Sequence, residues 1–124
     1  PALFEGGTLN FAGIAGLTAA MRITEAIGID NIYAHANQWL DAIEPTLIEL
    51  GFTSLRSTVT ANRSCMLCAR PPEGQHAGKI AAALAEHGIS VASPDGAIRF
   101  SPSWPNNLTE TTHVVDALAR TQSA

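Results

Sequence analysis

Residues 52–70, FTSLRSTVTANRSCMLCAR, decide the fold class of this 124-residue chain. Two runs rich in apolar and β-branched residues, 52–60 and 64–70, are separated by a short polar turn, which predicts two strands joined as a hairpin. Two prolines at 71–72 end the second run, because proline cannot donate a hydrogen bond to a sheet. We therefore expect a strand pair in the middle of the chain.

Helical patterns lie on both sides of this hairpin. Residues 11–27 and about 30–50 precede it, with a glycine after each as the helix end and Pro45 as an expected kink or break. The predicted elements after the hairpin are a helix, two short strands and a last helix, over residues 73–87, 89–91, 97–100 and 107–121. The order predicts an α+β fold, in which a short, mostly antiparallel sheet has helices packed on one side.

The first predicted helix is unusually apolar. Its polar residues Thr18, Arg22 and Glu25 form one narrow stripe, and the other residues are apolar or small. We expect most of this helix to be buried, and its partner surface to lie outside the chain.

Composition limits the class of protein. Apolar residues make up 46% and charged residues 15% of the chain, and the formal net charge is −4. The cationic residues are scattered, so nucleic-acid binding is not expected. No apolar run approaches the roughly 20 residues of a membrane span, and the N-terminus lacks a signal-peptide pattern. These features favour a cytoplasmic protein that binds no membrane.

Cys65 and Cys68 form a C-x-x-C pair, which can be a redox motif or half of a zinc site. On a strand, residues three apart point to opposite faces, so the two thiols are expected to diverge. There is no second pair, and His76 and His87 lie at no usual ligand spacing. We expect packing thiols and no metal site.

Three segments, taken in order, carry a resemblance to a known family. They are FEGGTLN at 4–10 with GIAGL at 13–17, LAEHGISV at 84–91, and RFS at 99–101 with Asn106 and Leu118. They resemble the motifs F-E-x-G-T-P-N-x-x-G-x-x-G-L, L-x-x-x-G-I-x-V and R-x-S…N…L of class V aminotransferase and cysteine desulfurase enzymes, which use pyridoxal 5'-phosphate. The resemblance covers nearly the whole chain.

The resemblance implies the small domain of a fold-type I enzyme. Residues 1–28 would be the end of the large domain and the connecting helix, and 29–124 the C-terminal small domain. Such enzymes are dimers, in which Gly7 and Thr8 would reach the cofactor phosphate of the other subunit. A backbone N–H and a hydroxyl suit a phosphate dianion.

The resemblance also implies that Arg99 binds the α-carboxylate of an amino-acid substrate, because a planar guanidinium grips a carboxylate with two hydrogen bonds. The alternative is an exposed strand arginine paired with a surface acid. Ser101 and Asn106 match the motif as well, but hydrogen bonds that form a corner explain them better than chemistry does.

Departures from the family pattern narrow the expected chemistry. Leu9 replaces a proline, and the interval from Val91 to Arg99 lacks the nucleophilic cysteine of cysteine desulfurases. This favours a C–S lyase, epimerase or transaminase. The only lysine, Lys79, lies in a predicted surface helix, so the lysine that forms the Schiff base is absent and we assign no catalytic residue.

The sequence therefore predicts the C-terminal portion of a pyridoxal-phosphate enzyme, as a fragment or as one chain of a split enzyme. Its expected partners are a large catalytic domain that carries the Schiff-base lysine, a second subunit and an amino-acid substrate. Alone it should be inactive. A non-catalytic α+β binding or interaction domain is the alternative.

Overall fold

The computed structural model describes residues 9–121, in which two helices are followed by two strands, a helix, a strand and a last helix. The α-helices are α1 (Phe11–Ile27), α2 (Ile29–Glu49), α3 (Ala77–Glu86) and α4 (Glu110–Thr121). The strands are β1 (Thr53–Ser54), β2 (Leu67–Arg70) and β3 (Ile98–Phe100), and 3₁₀ turns occupy Thr60–Asn62 and Pro94–Gly96. The α+β class is confirmed.

The three strands form one antiparallel sheet in the order β1-β2-β3. One face of it is buried, because Leu67, Ala69, Ile98 and Phe100 are at most 3% exposed and join a single hydrophobic cluster with residues of α2, α3 and α4. The helices therefore cover one face only, as predicted. The members of the cluster from α2 are Trp39, Leu40, Ile43 and Leu47.

The strands are shorter than the sequence predicts. The run 52–60 contributes only Thr53–Ser54, because the chain then turns toward α2, where Arg56 binds acidic side chains. The run 64–70 is a strand only from Leu67. The segment 89–91 is not a strand. Instead, Ala92 forms an isolated antiparallel bridge to Arg99.

The helix boundaries agree with the sequence prediction better than the strand boundaries do. Of the two alternatives expected at Pro45, a kink or a break, the break is absent. Helix α2 runs through this proline without a break. Pro45 removes the hydrogen bond to the carbonyl oxygen of Asp41, and both residues are exposed, so water can bind that oxygen instead. The last helix begins at Glu110 rather than 107, and α3 begins at Ala77 rather than 73.

Helix α1 has the predicted bounds and stands apart from the core. Asn10 caps it by accepting a hydrogen bond from the Gly13 N–H at 2.9 Å. None of its residues is buried, and Leu17 and Met21 are each 62% exposed. Among the described residues, no single helix has the length and apolar character of a membrane span. The pair α1 and α2, bent by 77°, passes that test only when taken together.

Candidate functional site

The face of the sheet opposite the core carries the candidate site. The register places Cys68 directly opposite Arg99, and Thr53 directly opposite Arg70. Side chains alternate along a strand, so these four residues project away from the helices. Thr53 and Arg70 are exposed, and Cys68 and Arg99 are half-buried. We call Thr53, Cys68, Arg70 and Arg99 the open sheet face.

Arg99 is held by a tight hairpin. Its N–H donates to the carbonyl oxygen of Ala92 at 2.8 Å, and its own carbonyl oxygen accepts from the Ala92 N–H at 3.3 Å. Pro94–Gly96 closes the turn, where Asp95 adopts a left-handed conformation with φ of 49°. Ile98 and Phe100, on either side, are buried in the core. The backbone at Arg99 is therefore fixed from both sides.

Among residues 9–121, the guanidinium of Arg99 has no acidic partner. Its Nε is buried and makes no hydrogen bond, and no ion pair of the described residues includes Arg99. The alternative of a strand arginine neutralised by a surface acid is thus not met within residues 9–121. A half-buried, unpaired guanidinium is suited to an anionic ligand, because a charge removed from water needs a partner.

The other two predicted binding residues, Gly7 and Thr8, lie outside the described residues. The structure therefore does not place them relative to Arg99. The described chain starts at Leu9, which is 61% exposed, and continues into the cap of α1.

The two cysteines lie in β2 or just before it, and the lysine lies on α3. Cys65 and Cys68 are free thiols, and Cys65 precedes β2 rather than lying in it. Lys79 is exposed on α3, on the helix side of the sheet, and so lies across the sheet from Arg99. In the described part of the chain, no three His, Cys, Asp or Glu side chains come together as a metal site.

Asn106 forms a corner, as the sequence analysis expected. Its Oδ1 accepts from the Ser103 N–H at 3.0 Å, and its Nδ2 donates to Glu110 at 3.1 Å. Its carbonyl oxygen lies 2.7 Å from His35 Nε2. Asn106 and Glu110 also line a cavity of about 250 Å³ together with Trp39 and Phe100. Phe100 belongs to the core face, so this cavity is separate from the open sheet face.

A buried arginine cluster was missed by the sequence analysis. The Arg56 side chain is 1% exposed and donates to Asp41 at 2.6 Å, Glu44 at 2.8 Å and Asn37 at 2.6 Å. Burial alone would lower the pKa of Arg56, but hydrogen bonds and charges of Glu44 and Asp41 raise it. The signal was present on α2, where Asn37, Asp41 and Glu44 recur at spacings of four and three. The cluster ties the segment after β1 to α2.

Comparisons with known proteins agree on one family. The family described as "Aminotransferase class-V" matches residues 1–106. A probable cysteine desulfurase of Xylella fastidiosa is 33% identical over 93 residues, covering 75% of this chain and 22% of that protein. A probable cysteine desulfurase of Mycobacterium leprae is 35% identical over 66 residues, covering 53% of this chain and 11% of that protein.

Solved structures show the same fold. A cysteine desulfurase from Thermococcus onnurineus superposes with a TM-score of 0.88 at 24% identity, covering 99% of this chain and 34% of its own. A cysteine desulfurase from Escherichia coli gives a TM-score of 0.86 at 24% identity, covering 99% of this chain and 33% of its own. The chain thus spans about a third of these structures and about a fifth of the Xylella relative.

Proposed function

Because the chain belongs to the class V aminotransferase family, we propose that it is the C-terminal part of a pyridoxal-phosphate-dependent enzyme that acts on an amino acid. In this proposal residues 1–28 end the large domain and form the connecting helix, and residues 29–124 form the small domain. The chain supplies contacts to the substrate carboxylate and the cofactor phosphate, and it is inactive alone.

The observation that carries the proposal is the guanidinium of Arg99, which has no ion-pair partner in the part of the chain that the structure describes. Its Nε is buried without a partner, and the hairpin with Ala92 fixes its backbone. A substrate carboxylate would satisfy this group with charge-assisted hydrogen bonds and would be held in one orientation. Arg99 would thus bind and orient the substrate, and would take no part in moving protons.

Gly7 and Thr8 are proposed to bind the cofactor phosphate of a second subunit, which requires a homodimer. When bound, pyridoxal phosphate supplies an aldehyde that captures the substrate amine and a ring that accepts electrons. Lys79 is exposed and lies across the sheet from Arg99, so we do not assign it to the cofactor. We propose that a large catalytic domain carries that lysine.

The surfaces of the chain support such a partner. Helix α1 exposes large apolar side chains, including Phe11 at 67%, Leu17 at 62% and Met21 at 62%. Isolated exposed apolar residues are ordinary, but a whole helix of them marks a contact surface. We propose that the large domain covers α1 and approaches the open sheet face. We also propose a cytoplasmic location, which rests on composition alone.

The hairpin between Ala92 and Arg99 helps to choose among the possible reaction types. It contains no cysteine, and its ends are joined by two backbone hydrogen bonds. This supports a C–S lyase, an epimerase or a transaminase over a desulfurase that uses a cysteine of this interval. A desulfurase-like reaction through another thiol is the second candidate, because Cys68 faces Arg99.

The test is to purify the protein that contains this chain and measure its intact mass together with its visible absorbance. We expect a polypeptide or complex larger than 13.0 kDa with the visible band of bound pyridoxal phosphate, and no band from the isolated chain plus added cofactor. A colourless 13.0 kDa species as the only form in the cell would instead support the non-catalytic binding domain.

A further inference from the structure

A second arginine shares the open sheet face with Arg99. Arg70 lies two residues beyond Cys68 on β2, and Cys68 is the register partner of Arg99. Arg70 and Arg99 are therefore diagonal neighbours on the same face, for which Cα atoms lie about 7–8 Å apart. Both arginine side chains are long enough for their guanidinium groups to contact one ligand.

Neither of these positive charges is neutralised by the described residues. The cations of the ion pairs in residues 9–121 are Arg56 and Arg63, and within that range Arg70 makes no side-chain hydrogen bond. Thr53 and Cys68, which complete the open sheet face, are neutral. Two guanidinium groups held side by side repel each other, and the attraction of both to an anion between or beside them offsets that repulsion.

We propose that Arg70 binds a second anionic group of the substrate, so that the enzyme favours an amino acid with an acidic side chain. This inference rests on the proposed role of Arg99, which binds the α-carboxylate. Arg70 is then a specificity-determining residue, because only a substrate with an acidic side chain would form an ion pair with its guanidinium. A carboxylate, sulfinate or similar oxyanion on the side chain fits the planar guanidinium.

The test measures ligand binding to the assembled holoenzyme by calorimetry, with pairs of acids of equal carbon number. The pairs are succinate and butyrate, glutarate and pentanoate, and adipate and hexanoate. For the best-fitting pair, we expect the dicarboxylate to bind about tenfold more tightly than its monocarboxylate. Arg70→Gln should bring that ratio close to one, with monocarboxylate affinity changed by less than about twofold.

Three further variants separate the possible causes of a preference for dicarboxylates. Arg70→Lys keeps the charge and should retain part of the preference, and Arg120→Gln removes an exposed guanidinium from α4 and should retain all of it. Arg99→Gln should weaken the binding of both acids of a pair. If Arg99→Gln leaves the binding of both acids unchanged while the Arg70 variants behave as expected, the proposed role of Arg99 is wrong.

The inference is overturned if the wild-type enzyme shows no preference for any dicarboxylate, or if Arg70→Gln leaves the preference unchanged. It is also overturned if Arg70→Gln weakens both acids equally, because that result would mean that Arg70 pairs with an acid of the large domain and supports the site only structurally.

Discussion

Cys68 and Arg99 lie directly opposite each other in the antiparallel pairing of β2 and β3, and both project from the face that the helices leave open. Directly opposite side chains on a sheet have Cβ atoms about 4.5–5.5 Å apart. The residue at position 68 therefore borders any ligand that Arg99 binds. A small, neutral side chain there leaves room beside the guanidinium.

This neighbourhood gives a steric prediction. Cys68→Leu adds bulk beside Arg99 and should weaken butyrate binding to the holoenzyme by about tenfold, because a crowded site costs 1–3 kcal/mol. The matched control is Cys65→Leu, which precedes β2 and does not face Arg99. Equal losses from the two variants, measured by calorimetry, would argue against a ligand at Arg99.

The Arg56 cluster gives a prediction about stability. Arg56→Ala leaves the Glu44 carboxylate, whose side chain is only 17% exposed, without its guanidinium. We expect the free energy of unfolding to fall by about 2–3 kcal/mol, as measured by urea denaturation. Arg120→Ala, at an exposed position of α4, should change it by less than about 0.5 kcal/mol. Similar effects of the two variants would mean that the Arg56 cluster contributes no more to the free energy of unfolding than an exposed arginine does.

Helix α1 gives a prediction about assembly. Leu17→Glu combined with Met21→Glu places charges on side chains that are 62% exposed here. If the large domain covers them, the complete enzyme should lose its quaternary structure or unfold at a clearly lower temperature, because a buried unpaired charge is costly. The control, Arg22→Glu, changes the polar stripe of the same helix. An unchanged sedimentation profile and melting temperature for the double variant would contradict a covered α1.

Glu110 gives a prediction about pH. A hydrogen bond from the Asn106 side chain, with one from the Asn107 backbone, holds the pKa of Glu110 below its ordinary value of 4.5. A carboxyl group with a lowered pKa in the folded state stabilises the fold above its unfolded pKa, and that contribution is lost as the pH falls through the folded pKa. The stability gap between wild type and Glu110→Gln should therefore be present at pH 6 and shrink at pH 3. A gap of constant size in urea denaturation would contradict this.

Local signals predicted the helices better than the strands. The bounds of α1 followed from Gly28 and the polar stripe, which are properties of neighbouring residues. The strand predicted over 52–60 ends at Ser54 because Arg56 binds acids on α2, a contact between segments that the pattern of 52–60 alone does not contain. Of the kink or break expected at Pro45, the break is absent, and that residue lies on the exposed side of α2.

The site was predictable only in part. Arg99 lies between the apolar Ile98 and Phe100, and strand alternation at these three positions is enough to direct its side chain away from the core face. Cys68 and Arg70 were not predicted as its neighbours, because the register between β2 and β3 depends on the three-dimensional pairing. The roles of Gly7 and Thr8 remain predictions, since these residues lie outside the described part of the chain.

The role of Arg99 in binding the substrate carboxylate can be tested with two amines that differ in one group. L-alanine and ethylamine differ only in that carboxylate, and their binding to the holoenzyme can be followed through the visible band of the cofactor. We predict that the wild type prefers L-alanine by about tenfold or more, and that Arg99→Gln removes the preference while leaving ethylamine binding unchanged. A preference for L-alanine that survives Arg99→Gln would contradict this prediction.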